Sequence, residues 1–138
     1  MFLRSKKLSV KTKFLRSKKM NLKTLITIAS VALLTASCTR QYKAERLAAD
    51  FIERNALHPE EMSDRDFKSL DSTKHLTDSI ILSMQARGGE QFQQNIDYPV
   101  KTAGRMLYYL RMSYVHGGDT LQNTFYLDEE LQNVVSFK

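Results

Sequence analysis

The sequence predicts an α+β fold in which an N-terminal helix packs on a curved antiparallel sheet that ends in a β-meander. One observation behind this prediction is that apolar residues recur at helical spacing from about Gln41 to Ala56. A second is the Gly117-Gly118 pair, which separates two runs rich in apolar and aromatic residues, and a third apolar run ends at Phe137. With 138 residues, 42% of them hydrophobic, the chain has room for one domain with a modest core.

The first 37 residues differ sharply in charge from the rest of the chain. They hold nine of the 21 lysines and arginines and none of the 15 acidic residues, so residues 38–138 carry a formal charge of −3. The net charge of +6 therefore does not describe the segment expected to fold. We expect no nucleic-acid partner, because such partners are bound by basic surfaces.

An uncharged apolar run covers residues 25–34, with Lys23 before it and small residues after it. This is the order of regions in a secretory signal peptide. A transmembrane anchor is the alternative, but a spanning helix needs about 20 apolar residues and this run is shorter. Residues 1–37 are predicted to be an N-terminal extension with a signal peptide, followed by one domain over residues 38–138.

The leader ends in Leu34-Thr35-Ala36-Ser37-Cys38, which resembles the lipobox of bacterial lipoproteins. In that motif small residues precede a cysteine that is acylated, for example with palmitate, and becomes the mature N-terminus. Thr35 departs from the motif, where leucine is usual, so ordinary signal cleavage after Ser37 is the alternative. The resemblance implies lipid attachment at Cys38, and a protein anchored to the outer or inner membrane of the cell envelope, facing the periplasm.

The true start of the chain has two alternatives. The hexapeptide at residues 2–7 recurs at residues 14–19, and Met20 follows the second copy directly. Either Met20 is the initiator and gives a compact leader, or translation begins at Met1 and residues 1–19 form a long basic n-region.

The first helix is predicted to follow a short polar tether, Thr39 to about Lys43. Its apolar face consists of residues at the spacings of one helical stripe: Ala44, Leu47, Ala48, Phe51 and Ile52. Pro59 ends the helix, because the residue before a proline is pushed out of helical geometry. Residues 60–66 are polar and predict a loop.

The middle of the chain predicts a short strand over residues 67–76 and a second helix capped by Thr77 or Asp78. Gly88-Gly89 is expected to end that helix. Residues 90–104 predict one turn of helix and then a loop.

A two-residue Gly117-Gly118 loop favours a β-hairpin with a primed turn. The turn fixes the register, which pairs His116 with Asp119 and, farther along, Tyr109 with Tyr126. One face of the hairpin is then almost wholly apolar, as burial on one side requires. After a turn at residues 128–130, a final strand over residues 131–137 completes the meander.

Three parts of the chain resemble small uncharacterised lipoproteins of Gram-negative gut anaerobes: the leader, the first helix and a C-terminal segment. That segment contains Leu-Tyr-Tyr-Leu-Arg, Gly-Gly-Asp-Thr and Thr-Phe-Tyr-Leu-Asp-Glu-Glu-Leu. The resemblance covers most of residues 20–138 and implies a cystatin-like or NTF2-like fold. It implies no activity.

The sequence offers no catalytic or metal-binding motif. His58, His75 and His116 have no histidine or carboxylate at a recognised metal spacing, and Cys38 is the only cysteine. No Gly-x-Ser-x-Gly elbow is present. We therefore expect no catalytic residues, no metal and no cofactor.

Tyr109 and Tyr126 are the candidate binding surface, since the hairpin register pairs them on the face opposite the apolar one. An exposed tyrosine pair suits recognition of a partner. The alternative, which is favoured, is that the second helix covers the pair.

These features predict a membrane-anchored envelope lipoprotein that is not an enzyme and acts as a binding or structural module, with an envelope protein as partner. One alternative is a small hydrolase or isomerase with a pocket between helix and sheet, as in some NTF2-like folds. Another is a cystatin-type protease inhibitor, because Gln132 and Val134 match the inhibitors' Gln-x-Val-x-Gly motif, although Ser136 replaces its glycine.

Overall fold

The computed structural model describes the backbone of residues 22–104 and 106–138 and the side chains of residues 38–104 and 106–138. The hexapeptide repeat and the Met20 start lie outside the described residues. The elements are α1 (Leu22–Asn55), a 3-10 turn (Pro59–Glu61), β1 (Ser63–Phe67), β2 (Asp71–Thr73), α2 (Asp78–Arg87), β3 (Leu107–His116), β4 (Asp119–Leu127) and β5 (Val134–Phe137).

The α+β prediction is confirmed: two helices pack on an open antiparallel sheet of five strands. The strands follow the order β1-β3-β4-β5, and β2 pairs with β3 beyond the end of β1. Strands β3, β4 and β5 form the predicted meander. The finer assignment to a cystatin-like or NTF2-like fold stays a prediction.

The hairpin register is confirmed over its whole length. His116 pairs with Asp119, Tyr109 with Tyr126 and Tyr108 with Leu127. Gly117 and Gly118 both have positive φ, +59° and +90°. A primed two-residue turn needs these angles, which glycine adopts without a steric penalty.

One loop prediction and one strand prediction are wrong because strand pairing overrides local sequence. Residues 63–66, expected in a loop, belong to β1, and of the strand expected over residues 67–76 only Phe67, in β1, and β2 are extended. Both pair with β3, which supplies hydrogen bonds along its full edge. The helical turn expected in residues 90–104 is also absent from the described part of that segment, where Phe92 instead forms a bridge with Ala56.

The final strand begins three residues later than predicted because Asp128 organises the preceding loop. Its Oδ1 accepts hydrogen bonds from the backbone N–H groups of Gln132 at 2.6 Å and Asn133 at 3.1 Å. Leu131 adopts a φ of +54°, which extended pairing does not allow. Only Val134–Phe137 is therefore free to pair with β4.

The predicted tether, Thr39–Lys43, is helical and belongs to α1. Side chains in this stretch bond to the sheet and its loops. Arg40 Nη1 donates to the hydroxyl of Tyr108 at 3.0 Å, and Lys43 Nζ donates to the carbonyl of Glu130 at 2.8 Å. Gln41 Nε2 donates to the carbonyl of Lys68. These contacts hold the helix on the domain where a flexible linker was expected.

The second helix is confirmed together with both of its ends. The Thr77 hydroxyl accepts a hydrogen bond from the backbone N–H of Ile80, and Gly88 ends the helix with a φ of +59°. A side chain at position 89 would clash with the core, because a Cβ there would lie 2.9 Å from Cε2 of Phe137. Glycine avoids this clash.

Phe51 is the centre of the core between α1 and the sheet. Its ring centroid lies 5.6 Å from that of Phe137, 6.0 Å from Phe125, and 6.1 Å from both Phe92 and Tyr98. These distances suit favourable aromatic pairing. One side chain of α1 therefore joins β4, β5 and the segment before β3.

A second, smaller core lies on the other face of the sheet, beneath α2. Its buried members are Ile81, Ala103, Leu107, Tyr126 and Val135. Gln85 Nε2 donates to the carbonyls of Val135 at 2.6 Å and Val100 at 3.0 Å. These bonds connect α2 to β5 and to the loop between α2 and β3.

We predict that Phe51→Ala lowers the free energy of unfolding by about 3–5 kcal/mol, because it leaves a cavity at the junction of four aromatic rings. Chemical denaturation followed by circular dichroism measures the loss. Tyr42→Ala is the matched control, since Tyr42 lies on the same helix and is 65% exposed. A comparable loss in both variants would contradict the central role of Phe51.

Candidate functional site

Cys38 lies on the exposed first stretch of α1 for which side chains are described. It is exposed, as are Thr39 and Arg40, and among the side chains described for the helix the first buried one is Ala44. The sulfur is therefore accessible to a modifying enzyme. No helix in the described residues combines the length and the apolar character needed to cross a membrane.

The Tyr109–Tyr126 pair is not the open surface that strand alternation suggested. Their ring centroids lie 6.4 Å apart, but Tyr126 is only 7% exposed and packs in the cluster beneath α2 with Ile81. The alternative prediction, that the second helix covers the pair, is correct for Tyr126. Tyr109 is half-buried at the margin of α2.

Tyr109 belongs to a small polar cavity at that margin. Its hydroxyl donates to Oδ2 of Asp71 at 2.9 Å, and the Arg111 guanidinium lies 5.3 Å from its ring centroid. The cavity has a volume of about 200 Å³ and is also lined by Thr73, Leu76, Thr124, Tyr126 and Lys138. Its size and its cationic side chains suit a small anion better than a protein partner.

The hydrogen bond between Asp71 and Tyr109 affects the acidity of both groups. It raises the pKa of Tyr109, with smaller contributions from burial and from the negative charge of Asp71. The pKa of Asp71 is lowered, first by the backbone N–H of Ser72 and then by the Tyr109 hydroxyl. The hydroxyl therefore remains protonated, and the carboxylate ionised, across the neutral range.

A groove of about 580 Å³ lies beside the C-terminal end of α2. Its lining combines amide side chains, two glycines and a few apolar groups: Leu57, Gln85, Ala86, Arg87, Gly88, Gly89, Glu90, Phe92, Gln93, Gln94, Asn95 and Ile96. Sequence analysis missed it, because the groove depends on how residues 85–96 fold and on Leu57, which meets them only in the folded chain.

The space between α1 and the sheet, where a pocket enzyme would bind its substrate, is filled by side chains. Phe51, Leu110 and Phe125 are 6%, 0% and 0% exposed. The residues that resemble the inhibitor motif are also inaccessible, since Val134 and Ser136 are buried in β5 and only Gln132 is exposed.

The three histidines lie in different surroundings. His75 is exposed in the loop before α2. His58 lies next to Glu60, and His116 lies next to Glu61. The contact between residues 61 and 116 depends on the pairing of β1 with β3, so no local spacing could have indicated it.

We predict that Asp71→Asn lowers the pKa of Tyr109, because the mutation removes the ionised acceptor and leaves Arg111 to favour the phenolate. Ultraviolet titration of tyrosinate, taken as the difference from the matching Tyr109→Phe protein, measures the shift. Asp66→Asn, on β1 along the same edge of β3, is the control. An unchanged Tyr109 titration in Asp71→Asn would show that the hydrogen bond does not control this hydroxyl.

Comparison of the chain with family models, with curated proteins and with solved structures finds no match in any of the three. What the protein does is therefore inferred from its own residues and geometry.

Proposed function

We propose that this protein is a lipoprotein of the cell envelope, anchored through Cys38, and that its folded domain is a non-enzymatic module that binds another envelope protein. The observation that carries the proposal is the position of Cys38. It follows a basic and apolar leader, and its side chain is exposed on the helix that forms the core.

The exposed stretch of α1 around Cys38 supports acylation without disturbance of the fold. Within residues 38–55 of the helix, buried side chains begin at Ala44, so acyl chains on Cys38 displace no core residue. Two or more acyl chains bind a bilayer firmly, at about 0.8 kcal/mol per buried methylene, so the domain needs no other membrane contact.

The groove lies beside the C-terminal end of α1, well away from Cys38. Residues 38–55 of the helix span about 26 Å at the usual rise per residue. Backbone hydrogen bonds from Leu57 to Gln91 and from Gln93 to Asn55 fix the groove wall against that far end. A membrane-anchored domain of this shape presents the groove away from the lipid.

The chemistry of the groove favours binding of a polypeptide segment. Four amide side chains and the backbone at Gly88-Gly89 offer both donors and acceptors, while Leu57, which is 53% exposed, and Ile96 add apolar contact. An extended peptide has the matching alternation of N–H, C=O and side-chain groups.

The packed interior weighs against the two alternative functions. A pocket enzyme of the NTF2-like type needs the volume that Phe51 and Phe125 occupy. An inhibitor of the cystatin type needs its motif exposed at a hairpin tip, whereas Val134 is in the core.

We predict that Cys38→Ser abolishes incorporation of an alkyne-labelled palmitate analogue and releases the protein from the membrane fraction, because no acyl acceptor remains. Metabolic labelling with fractionation of cells measures both. Thr35→Leu, which restores the usual lipobox residue, is the control and should label at least as well as the parent. Unchanged labelling in Cys38→Ser would refute anchoring at this residue.

A photo-crosslinking residue placed at Gln94 is expected to give a discrete adduct with another envelope protein, because Gln94 lines the groove. The same residue at Gln122, which is exposed on β4 outside the groove, is the control and should give no such adduct. Identical adducts from both positions, or none from Gln94 in correctly anchored protein, would contradict a binding role for the groove.

A further inference from the structure

The turn after α1 gathers three metal-ligating side chains at the surface. His58, Glu60 and Glu61 each offer a ligand atom, and these atoms all lie within 4.8 Å of one another. His58 Nδ1 lies 3.4 Å from Glu60 Oε1. A tetrahedral zinc site with bonds of 2.0–2.1 Å separates its ligands by about 3.4 Å, so small rotations of exposed side chains can close the set on an ion.

The backbone that carries these side chains is held firmly. Arg65 donates through Nε to the carbonyl of Met62 at 2.9 Å and through Nη2 to the carbonyl of Pro59 at 2.5 Å. Its Nη1 also forms an ion pair with Glu53 of α1 at 2.7 Å. Met62 itself is 3% exposed in the core. The turn therefore has a fixed geometry on which exposed ligands can be arranged.

Strand pairing adds a second histidine to the cluster. β1 begins at Ser63, which pairs with Val115, so the antiparallel register brings Glu61 beside His116. His116 Nδ1 lies 3.8 Å from Glu61 Oε2, is buried, and has no hydrogen-bond partner among the described residues. A buried nitrogen without a partner is costly. His116 Nδ1 gains a hydrogen-bond acceptor if the Glu61 carboxylate turns slightly toward it while the other Glu61 oxygen binds a metal.

We propose that His58, Glu60 and Glu61 bind a divalent transition-metal ion of the zinc type, and that His116 positions Glu61 from behind. One imidazole nitrogen with two carboxylates suits Zn²⁺, whereas Ca²⁺ and Mg²⁺ favour sites made wholly of oxygen ligands. A hydrogen bond from a neighbouring group commonly orients a ligating carboxylate, and His116 supplies one when its Nδ1 and Glu61 Oε2, now 3.8 Å apart, close to hydrogen-bond distance. The site lies beyond the far end of α1 from Cys38, and it does not depend on anchoring.

Isothermal titration of the full chain with ZnCl₂, in mild detergent and in a Cys38→Ser background that removes the thiol, tests the site. The expected result is saturable binding of one ion with a micromolar dissociation constant. His58→Ala and Glu61→Gln should each weaken binding by about tenfold or more. Zinc should also raise the unfolding temperature of the parent, since it binds the folded state.

His75→Ala and Glu90→Gln are the matched controls, because each removes an exposed group of the same type outside the cluster. Both should bind zinc as the parent does. Absence of saturable binding in the parent, or the same affinity in His58→Ala as in the parent, would overturn the proposal. An equal loss in His75→Ala would also overturn it, since binding would then be diffuse.

The positioning role of His116 has its own test. His116→Ala should weaken zinc binding by about tenfold, and His116→Asn should restore it, because the asparagine amide places an N–H close to the position of Nδ1. Loss of affinity in both variants would refute the positioning role, as would full affinity in His116→Ala.

Discussion

The packing of the Phe51 ring against four other aromatic rings is the contact on which the rest of this structure depends. Through these rings, Phe51 of α1 contacts β4, β5 and the segment before β3 at once. The helix shares no backbone ladder with the sheet, so side chains alone hold the two layers together. Because burial of apolar surface is the main favourable term in folding, removal of this ring loosens both layers together.

The position of the core fixes what the surfaces can do. One face of the sheet is covered by α1, whose Phe51 side chain fills the centre of that layer, and α2 covers the end of the other face around Tyr126. Concave and polar surfaces are therefore found at the margins. They are the cavity at Tyr109, the groove after α2 and the turn that carries His58. The same helix that forms the core also carries Cys38, so residues 38–55 of that helix, about 26 Å long, separate the proposed anchor from the groove.

Predictions that depend on residues close together in the sequence were correct, and predictions that depend on residues far apart in the sequence were wrong. The hairpin register came out correctly at every pair because Gly117-Gly118 dictates it locally. The caps of α2 are equally local and were also found. The prediction of a tether was wrong because Arg40 and Lys43 of α1 form hydrogen bonds with residues far along the chain. Their partners are Tyr108 and Glu130. The predictions for the strands before α2 were wrong because β1 and β2 form by pairing with the edge of β3. Their polar segment has little strand character of its own.

The leader and the acylation of Cys38 were predicted from sequence alone and stay predictions, because a signal peptide and a lipobox are linear patterns that act before folding. The α+β class, the helix periodicity and the hairpin were likewise determined by the sequence, since each rests on neighbours within a few residues. Only the tertiary structure decided that Tyr126 is covered and that the interior is filled. It alone brought Glu61 to His116, across a strand pairing that joins distant parts of the chain. Long-range contacts of this kind depend on how all the helices and strands pack around one core, and no short stretch of sequence predicts that packing.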